Sequence, residues 1–146
     1  MREILFRGKP SKNGKWVFGC YYKQLEFYGD ACDDHIIITS HEDLSFDIGL
    51  DYFVVEPETV GQFTGLIDKN GTKIFEGDIV RVLGNQQVED WKNVDYIGSI
   101  AFLDAGFCVI DGTIEDHAFR RYALPRLDFD LEVIGNIYDN PEVLEE

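Results

Sequence analysis

Four cysteine and histidine side chains in the first third of the chain are the residues best suited to hold a metal ion. They are Cys20, Cys32, His35 and His41. A structural zinc site closes a tetrahedron of thiolates and imidazoles, and its ligands usually come in pairs with short spacings. Cys32 and His35 give one C-x2-H pair, and no second pair of that kind follows. The spacing favours ordinary loop residues and a buried thiol, so we predict no metal site.

A row of acidic residues offers a second kind of chemistry, because neighbouring carboxylates can act as general acid and general base. Asp128, Asp130 and Glu132 alternate with apolar residues, so on a strand they share one face. Such a row more often marks the solvent side of an outer strand, where charge discourages edge-to-edge pairing. The segment from Asp68 to Gly71 resembles a fragment of a calcium loop, but its glycine comes too early and the ligand series stops. Neither acidic segment predicts a catalytic or metal site.

One basic cluster lies outside the N-terminus, formed by His117, Arg120, Arg121 and Arg126. Such a cluster could bind a phosphate or carboxylate, but a solvated helix end with local ion pairs is the more ordinary interpretation. The chain has no G-x-S-x-G, P-loop, G-x-G-x-x-G or H-E-x-x-H motif. We therefore predict a protein that is not an enzyme, with no catalytic residues and no cofactor.

The distribution of charge argues against one class of partner. The 146 residues carry a net charge of −15. Residues 1–30 hold six Lys/Arg and three Asp/Glu, or +3, whereas residues 31–146 hold seven and twenty-five, or −18. A body this acidic repels nucleic-acid phosphate, so direct nucleic-acid binding is not expected. The basic N-terminal strands could still contact an anionic partner or the acidic body of a neighbouring subunit, and solubility is the simplest account of the acidity.

Cysteine usage and hydropathy indicate the compartment. Cys20, Cys32 and Cys108 are odd in number and widely spaced, which predicts reduced thiols in a cytoplasm. The N-terminus lacks the apolar core of a signal peptide. No window approaches the length of a membrane span. We expect a cytoplasmic protein that does not use a membrane.

The elements that would position these residues are predicted best by the block Thr59–Val82, TVGQFTGLIDKNGTKIFEGDIVRV. Asn70-Gly71 predicts a two-residue hairpin turn with positive φ at both positions. Glu76-Gly77-Asp78 predicts a second turn or bulge, followed by a strand of β-branched residues. This organisation favours a small β-barrel or roll over an α/β enzyme.

The rest of the chain adds short strands and two predicted loops. Polar composition predicts loops at Lys23–Asp34 and Leu83–Asp95, and Thr113–Tyr122 is interpreted as a short helix capped by Thr113. Pro57 marks a seam between two subdomains. The remaining predicted strands are Glu3–Arg7, Trp16–Tyr22, Ile36–Thr39, Asp51–Glu56, Tyr96–Leu103, Phe107–Asp111 and Leu127–Ile134.

Four segments together resemble the YopX family of uncharacterised phage and prophage proteins. They are the opening MREILFRGK, the segment WVFGCYY, the central block PETVGQFTGLIDKNGTKIFEGDIVRV and the closing VIGNIYDNPEVLE. The resemblance implies a β-rich N-terminal region with irregular sheet and a C-terminal SH3-like barrel. It also implies a self-associating assembly in a bacterial host. No activity is established for the family, so the resemblance implies no catalytic residues.

The predicted fold is therefore mainly β, with an irregular β-rich subdomain over residues 1–57 and an SH3-like barrel or roll over residues 58–146, with at most short helices. The predicted function is a non-catalytic interaction or assembly module that forms a homo-oligomer and contacts a host or phage protein. Phe63 is expected in the core. The surface candidates are Tyr21, Tyr22, Trp91, Arg120, Arg121 and Tyr138.

Two alternatives remain open. One is an acidic mimic of nucleic acid that inhibits a host DNA-binding protein, which would require the carboxylates on one continuous face. The other is a metal-dependent hydrolase built from the acidic pairs with His35, His41 or His117.

Overall fold

A computed structural model of the protein describes residues 2–39, 51–90, 92–113, 118–123 and 129–145. The chain forms two compact units, Met1–Phe63 and Thr64–Glu146. It passes from the first unit to the second within the strand Gly61–Ile67, a little beyond the seam that the sequence suggests at Pro57.

The first unit contains five strands of an antiparallel sheet. Their order is β4-β3-β2-β1-β5, and a short 3-10 helix, Pro57–Thr59, precedes the last of them. The buried apolar side chains of the unit include Ile37, Val55 and Phe63. Of these, Phe63 is the residue expected in the core from the sequence. The five strands are β1 (Phe6–Gly8), β2 (Val17–Phe27), β3 (Asp30–Thr39), β4 (Asp51–Val55) and β5 (Gly61–Ile67).

The hairpin of β2 and β3 is much longer than the sequence predicts. Polar composition predicts a loop at Lys23–Asp34, and this prediction is wrong, because β2 continues to Phe27 and β3 begins at Asp30. A two-residue turn joins the strands, with φ of +49° at Tyr28 and +85° at Gly29. Most side chains from Tyr22 to Ala31 are exposed, so the apolar–polar alternation that identifies a half-buried strand is missing.

An open five-stranded antiparallel sheet dominates the second unit, in the order β10-β9-β8-β7-β11. The second half of β5 lies in this unit, hydrogen-bonded to β6 (Lys73–Phe75). A 3-10 helix, Pro141–Glu145, follows the last strand. The other strands are β7 (Asp78–Gly84), β8 (Asp95–Leu103), β9 (Gly106–Thr113), β10 (Ala118–Ala123) and β11 (Phe129–Asn136).

Alternation along the strands builds the core of the second unit. A cluster of buried residues forms its centre: Ile74, Val80, Val82, Ile100 and Val109. Leu131 and Val133 of β11 pack against this cluster, whereas Asp130 is exposed. The mainly β prediction is confirmed. Among the described strands β10 and β11 are the edges of the sheet and do not pair, so the sheet of this unit is open there and not a closed barrel.

The helix predicted at Thr113–Tyr122 is wrong. β9 runs to Thr113, and β10 pairs with it antiparallel, so that Phe119 lies opposite Gly112 and Tyr122 opposite Val109. Backbone pairing in the sheet outweighs the weak capping and charge signals that favoured a helix.

The turn between β5 and β6 has three residues where the sequence predicts two. The backbone N–H of Asp68 donates to the carbonyl of Thr72 (2.8 Å), and that of Gly71 donates to the carbonyl of Asp68 (3.1 Å). Gly71 has a φ of +83°, but Asn70 is not among the described residues with positive φ. This is the pattern of a type I turn followed by a glycine bulge, so the hairpin prediction is confirmed and its turn type is corrected.

Candidate interaction surface

The end of the β2–β3 hairpin lies beyond the strands on either side of it. β1 pairs with β2 only at Val17–Gly19, and β4 pairs with β3 only at His35–Thr39. Residues 24–34, here called the β2–β3 arm, therefore pair only with each other among the described strands. An isolated two-stranded ribbon has little stability of its own in water, so a contribution to folding stability does not explain the arm.

Large apolar side chains at the tip of the arm are exposed to solvent. Leu25 is 64% exposed, Phe27 56% and Tyr28 92%. The rings of Phe27 and Tyr28 meet edge to face with their centroids 4.5 Å apart. A single exposed apolar residue needs no explanation, but a contiguous exposed apolar patch usually marks an interaction site.

Tyr28 also has an unfavourable backbone conformation. The left-handed region is cheap for glycine and tolerable for asparagine, whereas a bulky side chain is uncommon there. Tyr28 has a φ of +49°, a backbone conformation that asparagine adopts at a lower energetic cost. Backbone strain that persists at an exposed position points to function at the tip of the arm.

Further exposed apolar side chains lie on one face of the same sheet. Tyr22 is opposite Ile36, which is opposite Val54. Tyr22, Val54 and the neighbouring Tyr52 are about half to two-thirds exposed. Directly opposed residues in antiparallel strands share a face, so Tyr22, Val54 and Tyr52 form an exposed apolar surface around the buried Ile36. Alternation along β2 places Leu25 and Phe27 of the arm on the other face. Among the described strands β4 is an edge strand, and its sequence DYFVV has no lysine or proline to discourage pairing.

The opposite end of β2 is basic and aromatic. Residues 7–18, here called the basic end, contain four cations and no acidic residue. Arg7 lies over the Trp16 ring at 4.4 Å from its centroid, and the Lys9 ammonium lies 5.5 Å from the same centroid. Arg7 and Lys9 are buried, whereas Lys12 and Lys15 are exposed.

The aromatic residues predicted on β2 have different environments. The Tyr21 hydroxyl oxygen lies 2.6 Å from Nδ1 of His35, and its half-buried ring stacks on the imidazole. Tyr22 is 54% exposed. Consecutive residues of a strand point to opposite faces, and of these two tyrosines only Tyr22 has a largely exposed side chain.

For three other predicted surface residues the structure gives no side-chain environment. Trp91 lies outside the described residues. Arg120 and Arg121 lie in β10, opposite Asp111 and Ile110 of β9. Leu25, Phe27 and Tyr28 were not identified as surface candidates from the sequence. The feature that could have indicated them is the Tyr28-Gly29 pair, which marks a hairpin turn between two polar segments.

Tyr138, the last surface candidate, packs against the turn before β7. A Cβ atom added at Gly77 would lie 2.9 Å from Cε2 of Tyr138, and Gly77 has a φ of +90°. The N–H of Ile137 donates to the carbonyl of Gly77 (2.9 Å), and the N–H of Gly77 donates to the carbonyl of Ile100 (2.8 Å). Tyr138 is half-buried, so the contact with Gly77 gives it a structural role.

Hydrogen bonds between polar side chains and the local backbone hold the turn in the segment GNIYDN. Oδ1 of Asn136 accepts from the N–H groups of Tyr138 (3.0 Å) and Asp139 (2.9 Å). Oδ1 of Asn140 accepts from the N–H of Asn136 (3.3 Å) and leaves no room for a Cβ at Gly135. These contacts explain the polar and glycine residues of this segment without a ligand.

Asp68 joins the central block to β11. One carboxylate oxygen accepts from the N–H groups of Asn70 (2.8 Å) and Thr72 (2.9 Å), and the other accepts from the N–H of Val133 (2.9 Å). Burial raises the pKa of this carboxyl, but the three backbone donors and nearby Lys69 more than offset it, so the pKa of Asp68 lies below its ordinary value. The carboxylate therefore links the turn between β5 and β6 to β11.

The residues proposed for metal or acid–base chemistry are not brought together in the described part of the chain. That part holds no group of three or more His, Cys, Asp or Glu that could bind a metal ion. Cys20 is exposed, Cys32 half-buried and Cys108 buried, and all three are thiols rather than disulfides. His41, His117, Arg126 and Asp128 lie outside the described residues.

A shallow cavity of about 610 Å³ on the second unit is lined by both charged and apolar residues. Its guanidinium, Arg81, is held by both carboxylate oxygens of Asp95, at 3.0 and 2.8 Å. Glu132, also in its lining, accepts from Asn70 Nδ2 (3.4 Å) and lies 3.4 Å from the Lys69 ammonium. Salt bridges thus engage three of its charged groups, and we assign no chemistry to the cavity.

The Arg81–Asp95 pair gives a direct test of the electrostatics in this unit. The hydrogen bonds from Arg81 hold the pKa of Asp95 below its ordinary value of 3.8. Replacing Arg81 with glutamine is expected to raise the pKa of Asp95, as followed by NMR of its carboxyl carbon. Lys92→Gln, which alters the separate Lys92–Glu89 pair, should leave it unchanged. An unaltered Asp95 pKa in Arg81→Gln would show that the pair does not persist in solution.

Comparison with known proteins identifies the family. The family model described as YopX protein matches residues 5–145. The crystal structure of protein EF1440 from Enterococcus faecalis is similar at 24% identity over 99% of each chain, with a TM-score of 0.51. Likeness at this identity shows the fold alone. No match is found among curated proteins.

No helix in the described ranges has both the length and the apolar character that a membrane crossing requires. The central block and the GNIYDN segment, on which the family resemblance rests, meet in the second unit at Gly77 and Tyr138 and carry its turns. Because the family model spans nearly the whole sequence, the chain belongs to the YopX protein family.

Proposed function

We propose that this protein is a non-catalytic, self-associating protein-interaction module, encoded by a phage or prophage and acting in the cytoplasm of the bacterial host. The observation that carries the proposal is the projecting β2–β3 arm, whose strained tip exposes Tyr28 beside Phe27 and Leu25. Exposed aromatic side chains provide large contact area at low entropic cost, because each has few rotatable bonds.

Charge contributes to the proposal as well. The acidic residues raise solubility and repel nucleic acid, so a monomer with exposed aromatics stays soluble until it meets its partner. The nucleic-acid mimic gains less support, since Glu132 of the acidic row is engaged by Lys69 and Asn70. We therefore assign the apolar surface of the first unit, and not the acidic row, as the site of contact.

Site-specific photo-crosslinking tests this assignment. A photoreactive phenylalanine analogue replaces Tyr22 or Tyr28, and Ile67 serves as the matched control because it is a comparably exposed apolar residue of the second unit. After irradiation in host cells, positions 22 and 28 should give discrete cross-linked protein bands and position 67 should not. Absence of cross-links at both test positions would contradict the proposed interaction function.

A further inference from the structure

We infer that the β2–β3 arm of one copy docks on the basic end of a second copy, so that two chains pair through the opposite ends of β2. This inference rests on the proposed self-association and deepens it by naming the two contacting surfaces. Both surfaces belong to the first unit, and both lie wholly within the described residues.

Charge complementarity singles out these two surfaces. The arm carries Glu26, Asp30, Asp33 and Asp34 and no lysine or arginine. The basic end has no acid and presents the exposed Lys12 and Lys15, behind which Arg7 and Lys9 are buried. Outside the arm, Lys23 lies 3.1 Å from Asp33 and offsets part of the negative charge. Opposite potentials on two patches steer encounter and fix the register of a complex.

Aromatic side chains accompany the charge at both ends. Phe27 and Tyr28 are exposed on the arm, and Phe18 at the basic end is 46% exposed. Trp16 is half-buried beneath Arg7. Aromatic anchors surrounded by a charged rim are the composition found at the centre of protein interfaces.

Symmetry makes the pairing self-consistent. In a two-fold dimer the contact of arm to basic end forms twice, once in each direction. β2 has eleven residues and spans roughly 35 Å at about 3.3 Å per residue. Tyr22 is the midpoint of Val17–Phe27 and is 54% exposed, so a two-fold axis that relates the two arm-to-basic-end contacts passes near the Tyr22 side chains of both copies.

A charge-swap experiment tests the inference on the full chain. The arm variant carries Glu26→Lys and Asp30→Lys, and the basic-end variant carries Lys12→Glu and Lys15→Glu. All four residues are exposed, so the fold should tolerate the changes, and circular dichroism checks this. Molar mass is measured by light scattering over a range of concentrations at about 0.1 M salt, where the screening length is roughly 10 Å.

Wild type is expected to form a dimer. Each variant alone should have a dissociation constant raised about tenfold or more, because like charges then face each other twice. A mixture of the two variants, or one chain with all four substitutions, should regain the wild-type dissociation constant. A misfolded variant cannot produce this rescue.

A second variant tests the aromatic tip independently of charge. Tyr28→Asn tolerates the left-handed backbone better than tyrosine, so the monomer should resist urea at least as well as wild type. Its dimer should nevertheless dissociate about tenfold more readily, because the most exposed ring of the arm is lost. Unchanged association of Tyr28→Asn would overturn the role of the tip.

Two results would overturn the inference as a whole. One is a wild type that stays monomeric at every concentration. The other is a dimer that neither weakens with the single-end variants nor recovers in the mixture. Cross-links from positions 22 and 28 to a different host or phage protein, together with a monomeric wild type, would keep the protein-interaction part of the proposed function and exclude its self-association.

Discussion

Replacing Asp68 with alanine is expected to lower the free energy of unfolding by about 3–5 kcal/mol, measured by urea denaturation. The change removes a carboxylate that is only 6% exposed and leaves the N–H groups of Asn70, Thr72 and Val133 without their acceptor. The three hydrogen bonds are part-buried, so each contributes near the lower end of the roughly 1.5–3 kcal/mol typical of a hydrogen bond to a charged group. Asp90→Ala, in an exposed turn, should change stability little.

Asp68→Asn separates charge from shape. The amide keeps one oxygen for Asn70 and Thr72 but turns an NH₂ group toward the N–H of Val133, so we expect an intermediate loss of about 2 kcal/mol. If alanine and asparagine were both neutral, Asp68 would not hold β11 to the turn. The measured order wild type, asparagine, alanine is therefore the specific expectation.

The same carboxylate predicts how stability depends on pH. Its pKa is lower in the folded protein than its ordinary value of 3.8. A group with a depressed folded pKa contributes stability that is fully present above the unfolded pKa and is lost as pH falls through the folded pKa. The stability difference between wild type and Asp68→Asn should therefore be constant near neutrality and shrink below about pH 4. A difference that grows on acidification would contradict this assignment.

Replacing Gly77 with alanine is expected to cost about 2–4 kcal/mol of unfolding free energy. Two effects add, because the residue has a φ of +90° and its new Cβ would lie 2.9 Å from Cε2 of Tyr138. Left-handed strain alone costs about 1–2 kcal/mol. The backbone beside the ring is held in place, because the N–H of Ile137 donates to the carbonyl of Gly77 and the N–H of Tyr138 donates to Oδ1 of Asn136, so only rotation of the Tyr138 ring can relieve the contact.

Gly71→Ala is the matched control for that substitution. Gly71 has a similar φ of +83°, and a Cβ atom added there would have nothing within 4 Å of it. It should lose about 1–2 kcal/mol, the backbone contribution alone. The difference in unfolding free energy between the two alanine variants measures the Tyr138 contact. When both are made in a Tyr138→Ala background, most of this difference should disappear. Equal losses at Gly71 and Gly77 would show that Tyr138 does not pack on the turn.

The second unit was largely predictable from sequence because its strands are half-buried. Alternation in Leu127–Ile134 gives the right faces for Asp130, Leu131 and Val133. The pairs at Asn70-Gly71 and Glu76-Gly77 mark true turns, although only Gly71 of the first pair has a positive φ. Turn geometry depends on hydrogen bonds such as those to Asp68, which spacing alone does not reveal.

The arm was not predictable by the same means. A ribbon exposed on both faces has no burial to impose a period of two, so Gln24–Asp34 resembles a polar loop in sequence. Tyr22 could be chosen as a surface residue from its type, but Tyr28 could not, because its exposure depends on where β1 and β4 stop. Sequence patterns report the burial of strands, and the proposed interaction surface lies where that burial ends.

Hydrogen–deuterium exchange of the wild-type chain, compared between dilute and concentrated solution, tests the central claim most directly. In a free two-stranded ribbon the backbone amides exchange rapidly. If the arm docks on a second copy, amides from Tyr22 to Asp34 and those around Lys12–Phe18 should become slower to exchange as concentration rises, while β7 and β8 stay unchanged. Equal exchange across the arm at all concentrations would contradict the account.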